Sequence, residues 1–110
     1  MLIKPADKVI FADDEIEKNF NNLSNDIIKK VILRAKEKFK ANVFCGQSIK
    51  KNIIPKIYIS KYSIDNLWWY PLPDGWRLVY SVITPSRDEI LAVIIEWFDH
   101  KGYERRFRYG

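Results

Sequence analysis

The sequence predicts an α+β fold in the order β-α-α-β-β-β, with a helical hairpin packed on one face of a small, mostly antiparallel sheet. Three observations carry that expectation. Apolar residues recur at helical spacing through two successive segments between residues 14 and 39. Three runs rich in β-branched and aromatic residues then fill 66–98, separated by strong turn signals. Ahead of the helices, Lys8-Val9-Ile10-Phe11 is short, apolar and β-branched, the pattern of a first strand.

Taken in order, Asp13 and Asp14 suit the N-cap and first turn of a helix in which Ile16, Phe20 and Leu23 form a narrow buried stripe before Asn21-Asn22 ends it. Ser24 or Asn25 caps the next helix. There Ile27, Ile28, Val31, Ile32, Ala35 and Phe39 share an apolar face, and Lys29, Lys30, Lys36, Lys38 and Lys40 stay wet and serve solubility. After Cys45-Gly46 the pattern loosens, and Pro55 fits the start of a short third helix, Lys56 to Lys61, before the second strand. Strands over Asn66 to Leu72, Trp76 to Ile83 and Ile90 to Phe98 make an antiparallel meander through turns at Pro73-Asp74-Gly75 and Thr84 to Glu89. Pro71 lacks an N–H for a ladder, so its strand belongs at a sheet edge. His100 to Gly110 is a mixed aromatic and basic tail.

The 110 residues, 47% of them apolar and 15% aromatic, suffice for one core, and one domain is expected over 1–110. A net charge of +5 favours an anionic partner: nucleic acid first, with a membrane surface or an acidic protein left open. Cys45 is the lone cysteine and His100 the lone histidine, which excludes an internal disulfide and argues against a structural zinc site. No cofactor or metal is expected, and the reducing cytoplasm is the expected location. Met1 to Ala6 has no apolar targeting core, and the longest apolar run, Ile90 to Ile95, falls far short of the roughly 20 residues needed to cross a bilayer.

One position breaks the pattern of the central strand. In Gly75-Trp76-Arg77-Leu78-Val79-Tyr80-Ser81-Val82 an arginine stands among apolar residues. Turn arithmetic sets Tyr70 opposite Arg77, Trp68 opposite Val79, and Glu96 opposite Arg77 on the last strand. Alternation then sends Leu78, Tyr80 and Val82 toward the helices with Leu67 and Trp69, and gathers Arg77, Trp68, Tyr70, Ser81 and Glu96 on the other face. Two readings stand side by side. Arg77 and Glu96 form a cross-strand ion pair worth ~0.2–1 kcal/mol, or Arg77 is a guanidinium on an open, shallow face, placed to hold a phosphate while Trp68 and Tyr70 stack bases.

The tail extends the second reading. His100, which as a lone histidine could equally be an ordinary surface residue, can act as general acid or base; Tyr103 can orient a group or donate a proton; Glu96 can accept one. With Arg77 steadying the charged phosphorane, this set suffices for metal-independent cleavage of an RNA phosphodiester. Lys50, Lys51 and Lys56 either line one wall of the groove or solvate a loop, and Lys101, Arg105 and Arg106 add basic surface for RNA.

The stretches Asn66-Leu67-Trp68, Trp76-Arg77-Leu78-Val79-Tyr80 and Asp99-His100-Lys101-Gly102-Tyr103, with Gly46, Ile49, Lys51, Ile54 and Pro55 ahead of them, resemble the RelE/ParE superfamily of toxins from type II toxin-antitoxin systems, in particular a RelE-like prokaryotic branch. The resemblance runs from about Val9 to Tyr109. It implies a cytoplasmic toxin that cuts messenger RNA on the ribosome and is silenced by a cognate antitoxin protein. Arg77 matches the family's strand arginine, a phosphate or transition-state contact, and His100 and Tyr103 match the C-terminal histidine and tyrosine of YoeB-like members. In those members the pair is adjacent, whereas Lys101 and Gly102 intervene here. The glutamate base of YoeB-like members has no counterpart, since Gly46 to Pro55 contains no acid. The alternatives are a ParE-type toxin that inhibits DNA gyrase without catalysis and an inactive relative that binds RNA or protein; a homodimer is left open.

Overall fold

A computed structural model describes residues 3–107. The strands are β1 (Lys8–Phe11), β2 (Gln47–Ser48), β3 (Trp68–Pro71), β4 (Arg77–Ser86) and β5 (Glu89–Phe98); the helices are α1 (Asp14–Asn21), α2 (Asp26–Ala41), α3 (Lys56–Tyr62) and α4 (His100–Arg106). They form an α+β fold whose mixed sheet runs β1-β5-β4-β3-β2, with β1 parallel to β5 and every other pair antiparallel. Among the described residues no helix is long and apolar enough to cross a membrane.

Local chemistry explains the bounds. Asp13 Oδ1 accepts from the Ile16 N–H at 2.9 Å, and Asn25, rather than Ser24, caps α2 by accepting from Ile27 and Ile28. β3 starts two residues later than the pattern suggested because the Asn66 side chain takes over the ladder: its Nδ2 donates to the Val82 carbonyl at 2.8 Å and its Oδ1 accepts from the Val82 N–H at 2.9 Å. The same residue satisfies Ser81, fully buried, whose hydroxyl donates to the Asn66 backbone carbonyl at 2.8 Å. The tail is not irregular. Asp99 Oδ1 accepts from Gly102 N–H at 2.7 Å and starts α4; the ends of the chain, Met1 and Leu2 with their bearing on targeting and Arg108 to Gly110 of the tail, lie outside the described residues.

Both faces of the sheet are covered, which corrects the expectation of one open face. Phe20 of α1 and Ile28, Val31, Ile32, Ala35 and Phe39 of α2 pack on Leu78, Tyr80, Ala92 and Ile94. On the opposite face Ile54, Tyr58, Ile64, Leu67 and Phe107 pack on Val79 and Ile95. The two long strands therefore bury consecutive residues, and their sequences read as continuous apolar runs rather than alternations.

β2, absent from the sequence reading, pairs with β3 through Gln47 and Trp69. Glycine makes that approach possible: a Cβ on Gly46 would lie 2.5 Å from the Trp69 carbonyl oxygen and 2.8 Å from the Tyr80 hydroxyl oxygen. That hydroxyl is itself fixed, donating to the Val43 carbonyl at 2.8 Å and accepting from the Gly46 N–H at 3.1 Å. Gly46→Ala should therefore lower stability by about 2 kcal/mol, as overpacking against backbone does. A urea titration checks it, and an unchanged midpoint would show that the loop yields.

Candidate functional site

The register decides which residues meet. Pro73, Asp74 and Gly75 form a three-residue loop with Asp74 and Gly75 left-handed (φ 60° and 78°), closed by the Leu72 N–H donating to the Trp76 carbonyl at 2.8 Å. Pro71 therefore faces Arg77, Tyr70 faces Leu78, and Trp68 faces Tyr80, one residue away from the expected pairing. A slip of one exchanges the faces. Trp68 and Tyr70 turn toward α2, Trp68 against Phe44 (5.2 Å between ring centroids) and Tyr70 against Phe39 (5.5 Å), so neither shares a face with Arg77. Trp69, assigned to the helix side by the sequence pattern, takes their place.

On the other side of β4, Arg77 lies opposite Phe98 and Val79 opposite Glu96. The expected pairing of Arg77 with Glu96 does not form. Tyr80 pairs with Ile94, leaving Ile95 as the extra residue of a β-bulge. The bulge sends both Ile95 and Glu96 to the second face and returns Trp97 to the first, edge-on to Phe20 at 6.2 Å.

Arg77 is instead clamped between rings. Its guanidinium carbon lies 4.1 Å from the Trp69 centroid and 4.3 Å from the Tyr103 centroid. Tyr103 in turn stacks on Phe107, 4.3 Å away with planes 17° apart. Two groups that close cannot occupy one face of a ring, so Trp69, Arg77, Tyr103 and Phe107 form a stack running from β3 through β4 to α4. Among the described residues no carboxylate lies within 4.0 Å of the Arg77 guanidinium.

Glu96 is held elsewhere. Its Oε1 accepts from the Tyr58 hydroxyl of α3 at 2.5 Å and from Arg106 Nε of α4 at 3.0 Å, and its Oε2 accepts from Arg106 Nη2 at 3.2 Å. Arg106, expected as part of the RNA surface, is thus the partner of Glu96. Burial, then the hydrogen bond and charge of Glu96, push the Tyr58 hydroxyl well above the ordinary tyrosine range. The cluster lines a cavity of about 340 Å³ between α1 and α3, lined also by Glu15, Ile16, Asn19 and Lys61.

His100 opens α4 beside the β3–β4 turn, where a Cβ on Gly75 would come within 4.0 Å of the His100 Cβ. Its exposed imidazole meets Glu104 Oε1 through Nε2 at 2.8 Å, one helical turn on. Lys101 and Arg105 are exposed on the same helix, Lys50 and Lys51 are exposed between β2 and α3, and Lys56 is exposed at the start of α3. The structure thus brings Arg77 and Tyr103 together at one end of the sheet with His100 beside the adjoining turn, and it draws Trp68, Tyr70, Glu96 and Arg106 into other contacts.

Trp69, Tyr58 and Glu104 escaped the sequence reading. The three-residue Pro-Asp-Gly loop was the signal that sets Trp69 on the face of Arg77, and the spacing of His100 and Glu104 is that of a helical i,i+4 pair. Comparisons with protein-family models, with curated proteins and with solved structures return no match for this chain.

Replacing Tyr58 by Phe removes one donor from Glu96 and should cost about 1 kcal/mol near neutral pH. The folded chain holds the Tyr58 proton more tightly than the unfolded chain, so this stabilisation is complete below the unfolded value of about pH 10 and is lost as pH rises beyond it. Urea midpoints measured against pH should fall in that alkaline window, and fall less steeply in Tyr58→Phe; identical slopes would refute the assignment.

Proposed function

We propose that this chain is a RelE-like toxin of a type II toxin-antitoxin system, a ribosome-dependent endoribonuclease that cuts messenger RNA by acid–base chemistry. The observation that carries the reading is the Arg77 guanidinium, held between two rings with no carboxylate beside it among the described residues, at the sheet end where the lone histidine begins a basic helix. In support stand the motif resemblance around Arg77 and His100 and the packing of a helical pair on a mixed sheet.

In this reading Arg77 contacts the scissile phosphate and offsets the charge that builds on it. His100, oriented by Glu104, exchanges the proton between the 2′-hydroxyl and the leaving oxygen. Tyr103 serves as a wall of the Arg77 stack. Glu96 has no part in proton transfer, because both its oxygens are engaged by Tyr58 and Arg106. Lys101 and Arg105, with Lys50, Lys51 and Lys56, steer the RNA backbone. The toxin acts in the cytoplasm and is silenced by a cognate antitoxin protein.

Primer extension on translated messages after induction should reveal cuts within codons, and Arg77→Ala and His100→Ala should each reduce them about hundredfold or more. Intact messages together with blocked supercoiling by DNA gyrase would assign the ParE-type activity instead, and harmless expression would leave a binding protein without catalysis.

A further inference from the structure

We infer that Trp69 is a positioning residue for Arg77, and that the ring clamp restricts this site to the phosphate of a polynucleotide strand, met edge-on, with no base stacked in it. The inference rests on the reading of the ligand as RNA and specifies which part of the strand the site takes.

A planar guanidinium offers a ligand two faces and an edge of N–H donors. The guanidinium carbon lies over the Trp69 ring at 4.1 Å and over the Tyr103 ring at 4.3 Å, and two rings that near one carbon must lie on different sides of it, which leaves the donor edge to a ligand. That edge presents paired, coplanar donors, the geometry that two oxygens of a phosphate accept. A base needs an open π-face or guanidinium face. Tyr103 has none to give, with Arg77 on one side and Phe107 on the other. Trp69 gives one face to Arg77 and packs against the core formed by Val79, Ile95 and their neighbours. The aromatics that the sequence offered for stacking, Trp68 and Tyr70, lie across the sheet.

The root of the clamp is fixed as well. Trp69 sits in β3 between β2 and β4, paired with Gln47 on one side and Val79 on the other, and its carbonyl oxygen is pressed against Gly46. The indole is therefore anchored by backbone on both sides. Shortening it frees Arg77 to rotate while leaving its charge unchanged.

The test is fluorescence anisotropy of labelled oligouridylate and oligoadenylate binding to the full chain, for the parent, Trp69→Leu, Trp69→Phe, Arg77→Lys and the double variant Trp69→Leu with Arg77→Lys. Trp69→Leu and Arg77→Lys should each weaken binding about tenfold, the worth of a charge-assisted hydrogen bond. The double variant should lose no more than either alone, Trp69→Phe should restore most of the affinity, and the two strands should bind alike. Losses that multiply in the double variant, or a preference for oligoadenylate that disappears in Trp69→Leu, would overturn the inference and make Trp69 a base platform. Should Trp69→Leu fail to fold, Arg77→Lys alone decides, since it keeps the charge and removes the fork: unchanged affinity overturns the inference, as does a parent chain that binds neither strand. Coupled losses in a chain that never cuts translated messages would sink the nuclease reading and leave this one standing.

Discussion

A single extra residue in β5 organises the second half of the molecule. Without the bulge at Ile95, alternation would carry Glu96 to the face covered by α1 and α2 and bring Trp97 to the other. With it, Ile95 enters the second core, Trp97 reaches Phe20, and a carboxylate is delivered to the layer between the sheet and the helices α3 and α4. The tie of those two helices to β5 refers to the phase that the bulge sets.

A carboxylate in that position must be met by donors, since an unpaired charge at a partly buried site is costly. Tyr58 supplies one from α3 and Arg106 supplies two from α4, so one acid ties both helices to β5. This arrangement also settles the charge of β4. Because Glu96 is matched by Arg106, Arg77 is left to aromatic partners, and a cation held by rings keeps far more of its charge for an incoming anion than one held by a carboxylate.

How much of this was legible follows from what each segment's chemistry controls. β1, the Asp13 cap and the apolar stripe of α2 rest on local signals and stand where the residues indicate, except that Ile27, in the first turn of α2, is exposed. The placement of Arg77 rests on phase, and phase is set by features that composition does not display. The loop Pro73-Asp74-Gly75 stands as expected but sets the pairing one residue away from the expected register, which exchanged Trp69 for Trp68 and Tyr70, and the stretch Ala92-Val93-Ile94-Ile95 is apolar enough to accept a bulge without any break in pattern. The covered second face was visible, however: Leu78, Val79 and Tyr80 in succession are the mark of a strand buried on both sides, and all three are fully buried. The last helix was masked by its composition, with a glycine three residues in whose N–H is taken by Asp99.

The stack around Arg77 has a thermodynamic meaning beyond geometry. An unconstrained arginine loses up to ~2 kcal/mol of rotamer entropy when a ligand immobilises it. Here the side chain is immobilised between Trp69 and Tyr103 when the protein folds, so that loss belongs to the folding equilibrium. An anion arriving at the edge of the guanidinium meets a group with little disorder left to surrender, so the hydrogen bonds and charge it offers are offset mainly by desolvation.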